Sequence, residues 1–135
     1  MIDYLEWLNT IEEEPELDGA GKLLAPVFAE LLYDRRVKTI YEWCCGPAWI
    51  GLWLLEQGIC QELVVSDINQ KAIDCVRRTV SRHNYPVRSY LSDNLKGIPE
   101  HEKFDIIVAN PPNYVNIQAD HPMGFLRHDL RPSDI

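Results

Sequence analysis

The sequence predicts an α/β fold built on a doubly wound, mainly parallel sheet with helices on both faces. Short apolar runs suited to buried strands (Val37 to Trp43, Leu63 to Val65, Phe104 to Ala109) alternate with longer stretches of helical spacing. Gly46, Asp67, Asp93 and Asn110 each follow one of the expected strands, and in such sheets ligands bind at the carboxyl ends of the strands. At 135 residues, with 46% hydrophobic and 25% charged side chains, the chain suits one core. That composition argues against disorder and against a disulfide miniprotein.

Residues 2–10 place Ile2, Leu5, Trp7 and Leu8 among acidic positions, which predicts a short amphipathic helix. Glu12 to Asp18, with Pro15 inside it, reads as an acidic linker exposed to solvent. From Gly21, the residues Leu23, Leu24, Val27, Phe28, Leu31 and Leu32 form a helical stripe running to about Asp34. Pro26 would then have to lie in the first turn, where its missing N–H costs nothing. Val37 to Trp43 is the first strand. Trp49, Ile50 and Leu52 to Leu55 make a largely buried helix that stops at Gly58. Glu62 to Ser66 is the second strand, ending in Asp67, and Asn69 can cap a helix that ends near Asn84, before Pro86. Val87 to Leu91 and Phe104 to Ala109 are the third and fourth strands. The fourth runs into Asn110-Pro111-Pro112-Asn113-Tyr114, and no period is sustained from Val115 to Ile135. The chain therefore divides into an N-terminal helix and linker (1–18), a core (19–116) and an irregular tail (117–135).

No window approaches the ~20 apolar residues needed to cross a bilayer, and the N-terminus is acidic where a signal peptide would be basic. No membrane association and a cytoplasmic location are the expectations. Thirteen basic against 21 acidic residues give a net charge of −8, which disfavours nucleic acid as a partner. Arg77, Arg78, Arg82 and Arg88, expected on or just after one helix, are the candidates for a local basic patch. Cys44, Cys45, Cys60 and Cys75 lack metal-site spacing and read as reduced core thiols, so no metal is expected. His83, His101, His121 and His128 read as surface residues.

Gly46 and Gly51 flank the start of the first crossover helix, where a tight turn lets backbone approach a ligand and the helix offers free N–H groups. Asp67, at the end of the neighbouring strand, can take both hydroxyls of a ribose, so a nucleoside-containing cofactor is the natural occupant. An ordinary turn and a helix cap would explain these residues singly, but neither accounts for Asp93 or for Asn110-Pro111-Pro112. The prolines stiffen the segment and leave carbonyls free beside the Asn110 amide oxygen. Two such acceptors can hold both hydrogens of a planar NH2 group and stabilise the positive charge it gains on attack.

With these motifs in hand, the chain resembles the class I S-adenosylmethionine-dependent methyltransferases over roughly residues 20–116. The resemblance is to the branch with an Asn-Pro-Pro-aromatic motif, which includes the glutamine side-chain amide methyltransferases of the HemK type. Tyr41-Glu42-Trp43-Cys44-Cys45-Gly46-Pro47-Ala48-Trp49-Ile50-Gly51 is similar to the first motif, Val65-Ser66-Asp67-Ile68 to the second, Ser92-Asp93-Asn94-Leu95 to the third and Phe104 to Pro112 to the fourth. The resemblance implies S-adenosyl-L-methionine as cofactor, with Glu42 near its methionine part, Gly46 and Gly51 at the turn, Asp67 on the ribose and Asp93 near the adenine amino group. Asn110 and Pro111 would hold the acceptor nitrogen, and Tyr114 would stack on it. No general base is required if that nitrogen keeps a usable lone pair.

Three departures stand out. Cys44 and Ala48 occupy two places that are usually glycine, Asn113 separates the second proline from Tyr114, and nothing after Val115 reads as the family's remaining strands. Within the branch the acceptor is an adenine amine or a glutamine amide in a protein, and the charge of −8 favours the protein. A non-catalytic scaffold and a nicotinamide-dependent oxidoreductase are the competing readings, the latter with a poor glycine pattern. The fourth strand would carry an unpaired edge. The expectation is that the chain is a piece of a longer enzyme, or that its own tail, a second copy or a partner chain covers this edge.

Overall fold

The computed structural model describes residues 2–17 and 19–111. Along the chain lie α1 (Tyr4–Leu8), α2 (Ala20–Leu31), β1 (Val37–Trp43), α3 (Trp49–Glu56), β2 (Cys60–Asp67), α4 (Gln70–His83), β3 (Val87–Leu91) and β4 (Ile106–Ala109). The sheet has the order β3-β2-β1-β4, and every neighbouring pair is parallel. The chain starts at β1, steps outward through β2 to β3, and then crosses back to lay β4 on the other side of β1. That reversal opens a crevice at the carboxyl ends of β1 and β4.

The core gathers one face of the sheet. Ile40, Leu63, Val65 and Val108 are buried beneath Ile50, Leu52 and Leu54 of α3 and Ile73 and Val76 of α4, and α2 packs beside α3. The expected mainly parallel sheet with flanking helices is present, and the helices of the described residues pack on one face of it. The connections β1–α3–β2 and β2–α4–β3 step in the same direction, so a common right hand puts both helices on one side. The return crossover that would wind the other side, residues 92–105, contains no helix. It covers part of that face with side chains instead. Phe104 stacks on Tyr41 at 4.6 Å between ring centroids, and Glu102 takes a two-pronged bond from Arg88 together with the Tyr90 hydroxyl.

Pro26 lies in the interior of α2, not in its first turn. A proline there leaves the carbonyl four residues back, that of Lys22, without its helical donor. The Tyr4 hydroxyl donates to that carbonyl at 2.6 Å, so α1 supplies the bond that α2 cannot make. The acidic segment after α1 is likewise more than a solvated loop. The Glu12 N–H donates to Thr79 Oγ1, Glu12 and Glu14 pair with Arg78, Glu16 pairs with Lys71, and Glu13 pairs with Lys22. It forms a strap along α4, beginning where Thr10 Oγ1 meets His83 Nε2 at 2.8 Å. His83 also stacks on Tyr85, so it is a packed residue and not a free surface histidine.

Arg77, Arg78 and Arg82 lie on α4, and Arg88 lies on β3, where Glu62 and Glu102 neutralise it. The four cysteines are unbridged, three of them buried. Among the described residues no group of side chains could hold a metal ion, and no helix is long and apolar enough to cross a membrane.

Candidate functional site

The turn between β1 and α3 holds the centre of the crevice. Cys44, Gly46 and Ala48 all have positive φ, at 54°, 54° and 66°. This alternation folds the chain back, with the Ala48 N–H donating to the Cys45 carbonyl at 2.7 Å, and starts α3 from a left-handed residue. The Cys45 N–H still reaches the Ser66 carbonyl at 3.0 Å, which extends the β1–β2 ladder past the end of β1. A Cβ built on Gly46 would meet nothing within 4 Å, so open space lies over the turn.

Asp67 closes onto this turn. Its Oδ2 accepts from the Gly46 N–H at 2.9 Å and its Oδ1 from the Asn69 N–H at 2.9 Å. Each carboxylate oxygen can accept a second bond, which leaves capacity for two hydroxyls of a ligand. Asn69 also caps α4 as expected, its side chain accepting from the Lys71 N–H. The Ser92 N–H donates to the Asp67 carbonyl, which brings the end of β3 alongside. Asp93 follows in an exposed position, 3.5 Å from Lys96 Nζ, on a turn tightened by the Gly97 N–H bond to Ser92 Oγ.

Glu42 lies beneath the turn and is 2% exposed. Its Oε1 accepts from the Gly51 N–H at 2.7 Å, so it satisfies a donor in the first turn of α3 that the Ala48 cap leaves open. Burial pushes its carboxyl up to about 8, the Gly51 bond works against that shift, and the charge of Asp67 adds to it. Gly51 sits inside α3 and not at a flexible turn. A Cβ there would lie 2.7 Å from Leu63 Cδ1 and 2.8 Å from Glu42 Oε1, so glycine permits the close approach of helix to sheet. Burial, aided by the charges of Asp67 and Glu42, pushes the Cys44 thiol up to about 12 and that of Cys45 well above its ordinary value. Both shifts favour the neutral thiol, which argues against a thiolate nucleophile at this turn.

Asn110 follows β4, one step beyond the Trp43–Ala109 pair, which puts it at the same end of the sheet as the turn after β1. Asn110 and Pro111 are half-buried, while Pro112, Asn113, Tyr114 and the 117–135 tail lie outside the described residues. The structure thus brings Glu42, Gly46, Gly51 and Asp67 together, puts Asn110 at the same end of the sheet after the neighbouring strand, and leaves Asp93 exposed. Ile68, Leu91 and Leu95 are apolar side chains exposed at the strand ends beside Asp67 and Asp93, and the motifs that contain Ile68 and Leu95 assign these two no role. For Ile68 the signal is an apolar residue directly after a strand-end acid, in a turn with no core to bury it. Together with the Asp67 oxygens, such a rim fits a flat base joined to a ribose.

Comparison with known proteins supplies the family. The model of the methyltransferase small domain matches residues 13–124. The chain belongs to this family. It is 33% identical, over 112 residues, to a ribosomal RNA small subunit methyltransferase C of Actinobacillus pleuropneumoniae serotype 5b (strain L20), covering 83% of this chain and 33% of that protein. It is 29% identical over 94 residues to a release factor glutamine methyltransferase of Clostridium botulinum (strain Hall), covering 67% of this chain and 33% of that one. A solved 16S rRNA N2 G1207 methyltransferase from T. thermophilus, in complex with AdoMet and guanosine, shares the fold with a TM-score of 0.62 at 24% identity, over 76% of this chain and 28% of that one. The chain thus spans about a third of the length of the curated family relatives it matches.

Proposed function

We propose that this chain carries the cofactor-binding half of a methyltransferase that uses S-adenosyl-L-methionine to methylate a planar nitrogen. The observation that carries this reading is the 2.9 Å bond from the Gly46 N–H to Asp67, which joins the turn after β1 to the acid after β2 beneath open space. Around that bond the residues fit the cofactor by their chemistry. Asp67 takes the ribose hydroxyls, Asp93 lies toward the adenine amino group, Ile68 and Leu95 flank the base, and Gly46 with Gly51 and Glu42 lines the methionine end. The cofactor supplies an electrophilic methyl group on a sulfonium. The protein's part is to hold the acceptor in line with it: the Asn110 amide oxygen and the Pro111 carbonyl accept the two N–H bonds of the attacking nitrogen. Tyr114 is assigned the stacking role.

Of the two acceptor classes, a nucleobase amine in RNA is favoured by the similarity to ribosomal RNA methyltransferases over most of this chain. A glutamine amide is the second reading, supported by the net charge of −8 and by the release factor relative. The charge weighs less than it did in the sequence alone, because the match covers only about a third of those relatives' length and most of their surface lies elsewhere. Calorimetry with S-adenosylhomocysteine tests the cofactor site: binding by the folded chain, weakened at least tenfold by Asp67→Ala, is expected. Transfer of labelled methyl from the cofactor, offered to ribosomal RNA and to a release factor side by side, tests the acceptor. Label in neither, with binding intact, would leave a scaffold in place of an enzyme.

A further inference from the structure

We propose that Glu42 is a charge-sensing residue of this crevice: beside Asp67 and without a basic partner among the described residues, it makes the site prefer a sulfonium cofactor to the neutral thioether left after transfer. The inference rests on the cofactor reading above and goes beyond it to the order of loading and release. Among the described residues the ion pairs join Lys22 to Glu13, Lys71 to Glu16, Arg78 to Glu12 and Glu14, Arg88 to Glu62 and Glu102, and Lys96 to Asp93. None reaches Glu42 or Asp67. The groups facing Glu42 are the Gly51 N–H from α3, the Cys44 and Cys45 thiols from the turn, and the Asp67 carboxylate from β2. Burial and the Asp67 carboxylate disfavour a negative charge on Glu42 and only the Gly51 N–H favours one, so a proton serves as its counterion at neutral pH.

A cation seated over the turn replaces that proton. Its field lowers the Glu42 pKa from about 8, Glu42 ionises, and the cation is held by a charge that was absent before it arrived. In the transfer step the methyl carbon–sulfur bond breaks with its electron pair staying on sulfur, the nitrogen–carbon bond forms, and the acceptor nitrogen gives a proton to solvent. The cofactor site then holds a neutral thioether, Glu42 takes a proton back, and the reason for tight binding is gone. By linkage, affinity for the sulfonium rises with pH up to about 8 and flattens above it, whereas affinity for the thioether does not gain this component.

The test is calorimetry of the full 135-residue chain with S-adenosylmethionine and with S-adenosylhomocysteine between about pH 6.5 and 8.5, for the wild type and Glu42→Gln. The ligands' own amino groups titrate against both proteins and cancel between them. The expected result is a wild-type preference for the sulfonium that grows about tenfold across this range relative to the variant, equivalent to a one-unit pKa change at Glu42. Should Glu42→Gln fail to fold, binding by the wild type in two buffers of different ionisation enthalpy reads the same event, with net proton release for the sulfonium ligand and less for the thioether. A preference that changes equally with pH in both proteins, or equal proton release for both ligands, overturns the proposal and leaves the cofactor site standing. Failure of the folded wild type to bind either ligand overturns the site and the proposal together.

Discussion

At Glu42 the folded chain holds a proton that the unfolded chain gives up near the ordinary value of 4.5. Because the folded value is raised, to about 8, the stabilising contribution is complete below 4.5 and is lost as pH rises through 8. Glu42→Gln keeps an acceptor for the Gly51 N–H and removes the titration. Thermal melts of the two proteins should therefore diverge between pH 5 and 8, with the variant gaining on the wild type by a few kcal/mol. A constant difference across that window would contradict a buried, protonated carboxyl. The turn above Glu42 offers a second residue-scale test. Cys44 and Ala48 adopt left-handed backbone without being glycine, at about 1 kcal/mol or more each. Ala48→Gly should raise the melting temperature by a few degrees, the relief of strain outweighing the added freedom of the unfolded chain. No change, or a loss, would mean that packing of the buried Ala48 methyl outweighs the strain. The missing glycines were visible in the sequence. That the turn keeps the glycine-type conformation without them was not, because φ at such positions depends on the bonds from Cys45 to Ser66 and from Gly46 to Asp67.

The elements followed the sequence closely wherever local signals acted alone. Asn69 caps α4, Gly58 at φ 75° stops α3, and Asn84 ends α4 in a left-handed turn. Structure and sequence pattern part where a distant partner overrides a local rule. Pro26 reads as a helix breaker, and its place in the interior of α2 depends on Tyr4, which lies on a different helix. A double-mutant cycle isolates this coupling. Tyr4→Phe alone leaves the Lys22 carbonyl without a donor and should cost about 1–2 kcal/mol. In the Pro26→Ala background the restored helical N–H supplies the bond, so Tyr4→Phe should cost less than half as much. Additive effects in urea melts would mean that the Tyr4 hydroxyl contributes nothing to tolerance of the proline. The strap residues Glu12 to Glu16 diverged for the same reason, since their charge pattern resembles a solvated loop until α4 lays Arg78 and Lys71 beside them.

For the whole molecule, strand alternation was enough to predict a parallel sheet, but the order β3-β2-β1-β4 depends on where the return crossover lands, and no residue type encodes that. The same order makes β4 an edge among the described residues, with Ile107 62% exposed on the face that α2, α3 and α4 do not cover. An edge strand with an outward apolar side chain is a template for pairing with another chain, and natural edges avoid this with charge. The isolated 135-residue chain should therefore self-associate as its concentration rises, in a way that sedimentation velocity detects. Ile107→Lys places a charge on that edge and removes little buried surface, so it should restore a monomer while changing stability by no more than about 0.5 kcal/mol. Association that persists in Ile107→Lys would assign it to another surface, of which the exposed Leu23, Val27 and Leu31 stripe of α2 is the leading example. A wild type that stays monomeric at high concentration would mean that the β4 edge is already protected within the chain, and the partner-chain expectation would then fall.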